Sequence, residues 1–212
     1  MRESTGPREI KIESGKYLIR SLTIEDASER LAAWFSDPNV HHALNARARS
    51  WSKDEVVNYI KEFNQMSKLL LGIFEKRSAL PIGIFTILIN QKTGQGLINI
   101  LIGDADYRNK GMRTRGLLVD IGVPFYDYIF QSLELTELLA SALARNKIII
   151  NMLVNHGWKL DQTLKGHQKS NSDGSMLDVC LYSLTRHSWL TSGTRDHLIK
   201  LSGLADRRTM VL

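Results

Sequence analysis

The sequence has few of the features that cross-link a chain or anchor it to a membrane. Its one cysteine, Cys180, excludes an internal disulfide. Because Cys180 lies in an alternating apolar pattern, we interpret it as a small core residue rather than a nucleophile. No apolar run approaches the roughly 20 residues that span a bilayer, and residues 1–12 are charged, unlike a secretory signal. These absences predict a soluble protein of the reducing cytoplasm, with no membrane partner.

Internal repeats, low-complexity stretches and blocks of one charge are also missing. Lysine and arginine outnumber aspartate and glutamate by 28 to 22, which gives a formal net charge of +6. Such a charge suits an anionic ligand, and it would equally suit a nucleic acid. Because no basic run is interleaved with aromatic residues, we do not expect a nucleic-acid partner.

The length of 212 residues fits one domain of roughly 150 to 200 residues with ragged ends. Residues 1–15 are polar and contain glycine and proline, as is typical of a flexible arm. Residues 190–212 carry apolar residues at roughly helical spacing. A tail helix covering the domain or a dimer partner would explain that spacing, and so would a frayed end, so a homodimer is one expectation. A helix over residues 112–130 contains Pro124, which predicts a kink or a break.

An apolar strand, residues 97–102, passes through a short basic loop into an amphipathic helix. Backbone N–H groups of such a first helical turn point outward beside the positive end of the helix dipole. Gly111 would let an oxygen approach the backbone, and Arg108 and Lys110 add positive charge. A pyrophosphate would fit this loop, and a solvated turn is the alternative. The sequence contains neither a P-loop nor a Rossmann glycine motif.

The loop resembles the R/Q-x-x-G-x-G/A signature of the GNAT superfamily of acyl-CoA-dependent N-acetyltransferases. Arg108 and Gly111 are in register with it, and Arg113 replaces the final small residue. Other segments resemble the family in the expected order. Residues 146–158 are similar to its N-x-x-S/A-x-x-x-(Y/L)-x-K-x-G-F run. Residues 178–189 are similar to the D-x-x-x-Y-x-L-x-R-x-x-W ending of the branch related to ribosomal-protein N-terminal acetyltransferases.

The resemblance implies one α+β domain over residues 16–189. Its mixed central sheet would have about six to seven strands flanked by helices and would splay at the acyl-CoA site. Acetyl-CoA would be the cosubstrate, and no metal is implied. Backbone groups of the splayed strand would meet the pantetheine arm and the thioester. The implied cofactor contacts are Ile100, Leu101, Ile102, Arg108, Asn109, Lys110, Gly111, Met112, Arg113, Thr114 and Asn146.

The resemblance also bears on proton transfer. Asn146 lies where the family often contacts pantetheine or the acceptor, which makes it a candidate catalytic residue, although a helix N-cap would have the same sequence. Leu153 falls where many relatives carry a tyrosine that protonates the thiolate. Leu97 and Asn99 lie near a glutamate that some relatives use. Because thiols have pKa values of about 8.5, these departures slow the reaction without forbidding it.

Four residues are candidates for a general base: Asp104 at the strand end, His156, and the adjacent His41 and His42. Each has a structural alternative, since Asp104 suits a turn and His156 suits an outer helix face. The His41–His42 pair lacks the further ligands of a metal site. A relaying water is an equal alternative. We expect a loop over residues 39–51 to wall the acceptor site, which makes His41, His42 and Asn45 candidate substrate contacts.

Two functions follow from these features. The first is an N-acetyltransferase that moves an acetyl group from acetyl-CoA to a primary amine by direct attack in a ternary complex. The amine would belong to a protein N-terminus, an amino sugar or a small molecule. The second is a non-catalytic GNAT-like module that binds acyl-CoA or has a regulatory role. Arg113, Leu153 and the absence of an acid on the cofactor strand favour this second function.

Overall fold

One eight-stranded sheet organises the chain. The computed structural model describes residues 9–108 and 111–202, without the side chains of residues 112 and 113. Neighbouring strands lie in the order β1-β2-β3-β4-β5-β6-β8-β7, and β5–β6 is the parallel pair among antiparallel ones. The strands are β1 (Lys11–Glu13), β2 (Tyr17–Ser21), β3 (Lys68–Glu75), β4 (Pro81–Asn90), β5 (Gln95–Ile102), β6 (Glu137–Leu143), β7 (Lys159–Lys169) and β8 (Met176–Thr185).

Helices cover both faces of the sheet. One apolar core packs α4 and α5 against the sheet, and a second packs α1 and α3 against its other face. Six consecutive residues of β3, 69–74, are buried, because alternate side chains of β3 enter the two cores. The helices are α1 (Glu29–Ser36), α2 (Pro38–Leu44), α3 (Lys53–Lys61), α4 (Met112–Asp127), α5 (Lys147–Asn155), α6 (Arg186–Thr191) and α7 (Thr194–Leu201).

The predicted α+β class and the splayed sheet are confirmed, although the sheet has eight strands rather than six or seven. β6 pairs with β5 over residues 95–97, opposite residues 137–139. In the described structure β5 then continues to Ile102 without pairing with β6. The two strands therefore part on the side of the sheet where α4 begins.

The first strand corrects the predicted N-terminal arm. Ile10 and Ile12 are buried, and residues 11–13 form β1, which pairs with residues 18–20 of β2. The arm prediction is therefore wrong for these residues, because burial against β2 orders a segment whose own composition is polar. Residues 1–8 of the predicted arm lie outside the described residues.

Pro124 does not break its helix. α4 runs through it to Asp127 and passes directly into a π-helical turn, Tyr128–Ser132. Ile121, Phe125 and Ile129 are at most 1% exposed. Their burial on the sheet offsets the roughly 3 kcal/mol that a proline costs inside a helix.

Part of the C-terminal tail forms α7, which is attached to α4. The Asp127 carboxylate accepts hydrogen bonds from Trp189 Nε1 at 2.9 Å and from Arg195 Nε and Nη2 at 2.8 and 2.7 Å. Leu198 on the same helix is 1% exposed. Residues 203–212 of the tail lie outside the described residues. Within the described part of the chain, no helix combines the length and apolar character needed to cross a membrane.

Two glycines of α4 differ in their surroundings and give a matched test of the packing. A Cβ on Gly116 would meet nothing within 4 Å, whereas one on Gly122 would lie 2.8 Å from His156 Cε1. Gly116→Ala should stabilise the protein by about 1 kcal/mol, a rise in Tm of roughly 2 to 4 °C, because alanine favours the helix. Gly122→Ala should lower Tm, because overpacking costs about 1 to 3 kcal/mol and exceeds that gain. Calorimetric melting of both variants measures the difference, and an equal rise in both would contradict this packing of His156.

Candidate active site

A cleft opens where β5 parts from β6. Its inner compartment, of about 250 Å³, lies between residues 98–100 of β5 and residues 140–143 of β6. Its outer compartment, of about 80 Å³, follows residues 100–102 toward the start of α4. The two compartments are continuous, since both are lined by Ala43, Leu44, Ile100, Asn146 and Ile149.

The outer compartment ends at the loop before α4. Gly111 is the N-cap of α4, with φ of 53° and no side-chain cap. This positive φ favours glycine, and a Cβ there would meet no described atom within 4 Å, so the described residues leave the space beside Gly111 open. The buried Thr114 hydroxyl donates to the Tyr107 carbonyl and fixes the loop to the helix.

Arg108 joins this loop to α2. Its guanidinium pairs with Asp37, the N-cap of α2. Burial opposes ionisation of Asp37, but hydrogen bonds from the Asn39 N–H and the Arg108 guanidinium outweigh it and lower the pKa of that carboxyl. Arg108 Nη1 is buried and has no hydrogen-bond partner among the described residues. Because Arg108 lines the outer compartment, a charged donor is available at the end of the cleft nearest Gly111.

A tyrosine that the sequence did not single out lines the inner compartment. Tyr126 is 4% exposed, and its hydroxyl accepts a hydrogen bond from Trp158 Nε1 at 3.2 Å. Its own proton is directed to Met152 Sδ, a weak acceptor 3.9 Å away. Burial raises the pKa of Tyr126. The helical spacing of apolar residues marks the neighbouring Phe125 as a core residue, whereas nothing in the sequence marks Tyr126 as lining a cleft.

The family model of the acetyltransferase (GNAT) domain matches residues 16–159, which include β5, the loop before α4, and α5. The chain belongs to the GNAT family. It is therefore an acyltransferase by family. Comparison with curated protein sequences finds no match.

Several solved GNAT structures share the fold at low sequence identity. RimJ of Mycobacterium smegmatis, in complex with CoA-disulfide, has a TM-score of 0.72 at 15% identity, over 92% of this chain and 94% of its own. Spermidine N-acetyltransferase of Vibrio cholerae, with CoA and spermine, has a TM-score of 0.70 at 16% identity, over 83% and 99%. Ribosomal-protein-S5-alanine acetyltransferase of Vibrio fischeri has a TM-score of 0.68 at 19% identity, over 85% and 99%.

Some of the residues expected from the GNAT resemblance lie together. Ile100, Leu101 and Ile102 line the outer compartment with Arg108 and Thr114. Gly111 does not line this compartment, although Arg108 and Thr114 on either side of it in sequence do. Asn109 and Lys110 lie outside the described residues, as do the side chains of Met112 and Arg113.

Asn146 is the N-cap of α5, and it also lines the cleft. Its Oδ1 accepts a hydrogen bond from the Ile149 N–H at 3.4 Å and caps α5. Asn146 also lines both compartments of the cleft. The capping bond fixes the side chain at the point where the compartments join.

The structure does not bring the expected substrate histidines into the cleft. Residues 38–44 form α2 rather than a loop, and the helix turns Asn39, Val40, Ala43 and Leu44 toward the cleft. His41 is buried on the opposite side, with Nε2 2.6 Å from the Phe35 carbonyl oxygen. His42 is exposed, and its carbonyl accepts a hydrogen bond from Arg145. Helical geometry thus separates two residues that are adjacent in sequence.

Asn45 has a structural role. It ends α2 in the left-handed conformation, with φ of 52°. Its Nδ2 donates to the Lys169 carbonyl at 2.9 Å, and its Oδ1 accepts from the Asn171 N–H at 2.8 Å. The side chain therefore fastens α2 to the β7–β8 turn and is not directed to a substrate.

Asp104 lies apart from both compartments of the cleft. Its carboxylate pairs with Arg30 and accepts a hydrogen bond from the Asp106 N–H at 2.7 Å. The turn after β5 also closes on its carbonyl, which accepts from the Arg108 N–H at 2.9 Å. The geometry favours the turn-forming role over that of a general base. No group of three or more His, Cys, Asp or Glu among the described residues is arranged to hold a metal ion.

His156 is enclosed between α4 and α5. It is 2% exposed, its ring meets that of Tyr126 edge-on at 5.8 Å, and its Nδ1 has no hydrogen-bond partner in the described part of the chain. Burial lowers its pKa from the ordinary value of 6.5 to about 4. The imidazole is therefore neutral at pH 7, and it lies outside the cleft.

This burial predicts a pH-dependent stability. Between pH 6.5 and about 4 the unfolded chain binds the His156 proton and the folded chain does not. The stabilisation is complete above pH 6.5 and is lost as the pH falls, by up to about 1.4 kcal/mol per pH unit. Denaturant titrations from pH 7 to 5 should show this slope in the wild type and a smaller one in His156→Gln. The exposed His187 supplies the control, because His187→Gln should keep the wild-type slope, and a slope that persists in His156→Gln would contradict the assignment.

Proposed function

We propose that the chain is an acetyl-CoA-dependent N-acetyltransferase that acts on a primary amine by direct attack in a ternary complex. One observation carries the proposal. The cleft begins where β5 loses β6 as a partner, and it ends at Arg108 and Thr114, which flank in sequence the start of α4 at the uncapped Gly111. A ligand with amides at one end and phosphates at the other matches these two unpaired sets of backbone groups.

We assign the binding roles accordingly. Backbone groups of residues 98–102 would pair with the pantetheine amides and donate to the thioester carbonyl oxygen. The first turn of α4 and Arg108 Nη1 would bind the pyrophosphate. Asn146, fixed by its cap at the junction of the compartments, would position the pantetheine arm. These roles rest on family membership together with the lining of the cleft.

Transfer joins the amine nitrogen to the acetyl carbon and breaks the carbon–sulfur bond. The amine loses a proton, and the departing thiolate gains one. We assign to Tyr126 the donation of the proton that the thiolate gains. Its hydroxyl already accepts from Trp158, so the proton that it can donate faces the inner compartment with a thioether as its protein acceptor. With Asp104 bound to Arg30, we assign removal of the amine proton to water.

The cleft also bears on the choice of acceptor. None of the described residues that line its two compartments is acidic, whereas Arg108 lines the outer one. A polyamine carries several positive charges and binds best to carboxylates. We therefore propose an acceptor with a single reactive amine, such as a protein N-terminus or an amino sugar.

The non-catalytic alternative is favoured by Leu153, a buried residue of the inner compartment that cannot transfer a proton.

Turnover separates the two functions. Acetyl-CoA is incubated with an amine panel of peptides, amino sugars and polyamines, and release of free thiol is followed. If the protein is an enzyme, thiol release should depend on the amine and should be fastest with an acceptor that has a single amine. Binding of acetyl-CoA without release for any amine would instead establish the non-catalytic module.

Substitution at Gly111 tests the phosphate site. At 100 times its Kd a ligand stabilises by about 2.7 kcal/mol, a Tm shift of roughly 5 to 11 °C for a domain of this size. Acetyl-CoA should produce this shift in the wild type and not in Gly111→Glu, because the new carboxylate repels phosphate at the helix start. Gly174→Glu is the matched control, since Gly174 also has positive φ, 74°, and lies in the distant β7–β8 turn. A normal shift in folded Gly111→Glu would exclude the loop as the phosphate site.

Removal of the Tyr126 hydroxyl tests the proton donor. Tyr126→Phe keeps the ring and should lower kcat on the order of ten- to a hundred-fold while leaving the KM for acetyl-CoA nearly unchanged. The loss should shrink with an acetyl thioester of a more acidic thiol, because such a leaving group needs less protonation. Tyr59→Phe, on α3 and away from the cleft, serves as the control. A loss that is the same for both thioesters would show that Tyr126 only supports the packing.

A further inference from the structure

A groove larger than the cleft lies between α4, α5 and α7. Its volume is about 650 Å³, and it runs along the outer surface of α4 from Gly111 to Asp120. α5 forms the second wall, and His197, Leu198 and Leu201 of α7 form the third. None of these α7 residues lies within the segment matched by the family model, which ends at residue 159.

The groove adjoins the cleft. Thr114, Leu118 and Ile148 line both the groove and the outer compartment. Gly111, at the N-terminus of α4, lines the groove and lies in sequence between Arg108 and Thr114 of the outer compartment. A ligand whose phosphates rest on the first turn of α4 can therefore extend into the cleft in one direction and into the groove in the other.

α7 is a fixed wall. The two hydrogen bonds from Arg195 to Asp127 join its first turn to the end of α4. Leu198 is inserted between the helices at 1% exposure. A Cβ on Gly157 would lie 3.0 Å from Thr194 Oγ1, so the end of α5 also packs closely against α7. These contacts hold α7 in place beside α4 and α5.

The lining of the groove is chemically mixed. Ile148 and Leu201 present apolar surface to it although they are 41% and 62% exposed. Asn151 and Asn155 offer amides along α5, and His156 lines the groove with its buried Nδ1, for which the described residues provide no hydrogen-bond partner. Flat apolar walls with a few amides and a ring nitrogen suit a purine base and its ribose. Arg115 lines the groove with a positive charge and Asp120 with a negative one, and His197 adds an imidazole.

We infer that α7 completes a binding groove for the nucleotide end of coenzyme A, its 3′-phosphoadenosine group. The inference rests on the proposed function and adds a C-terminal helix to the cofactor site. Leu201 forms a wall for the base, and His197 faces the phosphates. The tail thereby makes donor selection depend on the nucleotide as well as on the thioester.

A charge placed on the wall tests the inference. Kd values of CoA, 3′-dephospho-CoA and pantetheine are measured by calorimetric titration for the wild type, Leu201→Glu and Lys200→Glu. Leu201→Glu should weaken CoA by about ten-fold or more and leave pantetheine unchanged. Lys200 is exposed on α7 and does not line the groove, so Lys200→Glu, with its larger change of charge, should bind all three ligands as the wild type does. His197→Ala should weaken CoA more than 3′-dephospho-CoA.

The outcomes separate this inference from the proposed function. If the wild type binds CoA and Leu201→Glu binds it equally well, α7 is not part of the site and the inference is wrong. Equal weakening of CoA and pantetheine would also overturn it, because the effect would then lie in the cleft or in folding. If the wild type binds neither CoA nor pantetheine, the proposed function itself fails.

Discussion

Backbone hydrogen bonding between β5 and β6 ends at residue 97 of β5, and the site depends on this loss of pairing. Up to this point β6 pairs with β5, and beyond it the polar groups on that side of β5 face the cleft. Buried backbone groups need partners, so a strand left half-paired in a protein interior is an incomplete structure that a ligand with amides can complete. β4 supports the same strand along its whole length, from Gln95 to Ile102. The half-paired strand is therefore rigid as well as available.

The elements around this opening are held by charged pairs that link segments far apart in sequence. Arg108 with Asp37 joins the loop before α4 to α2, and Arg30 with Asp104 joins α1 to the end of β5. Neither pair is fully exposed, so both are screened less than surface ion pairs. Their common effect is geometric, because they hold α1, α2 and the loop before α4 around one end of the cleft.

The features that could be predicted from the sequence depend only on residues that are adjacent in the chain. The strand, basic loop and helix around Gly111 could be read directly, because an uncapped helix start and a positive φ are properties of a few adjacent residues. The roles of Asp104, His41 and Asn45 could not be predicted in this way. Their partners are Arg30, the Phe35 carbonyl and the β7–β8 turn, and only the folded chain brings Asp104 and Asn45 to partners 74 and 126 residues distant in sequence. β1 was missed for the same reason, since its burial depends on β2. Tyr126 was missed because helical periodicity identifies a buried face but does not show that a cleft lies beside it.

The carboxylate of Asp127 connects α4 with α7, the last helix described. It accepts hydrogen bonds from Trp189 before α7 and from Arg195 within it. Local opening of α7 must therefore break charged hydrogen bonds at the far end of α4. Any ligand that bridges the two helices raises the free energy of that opening, so amide hydrogen exchange in α7 becomes a measure of occupancy at a loop some eighty residues earlier in the chain.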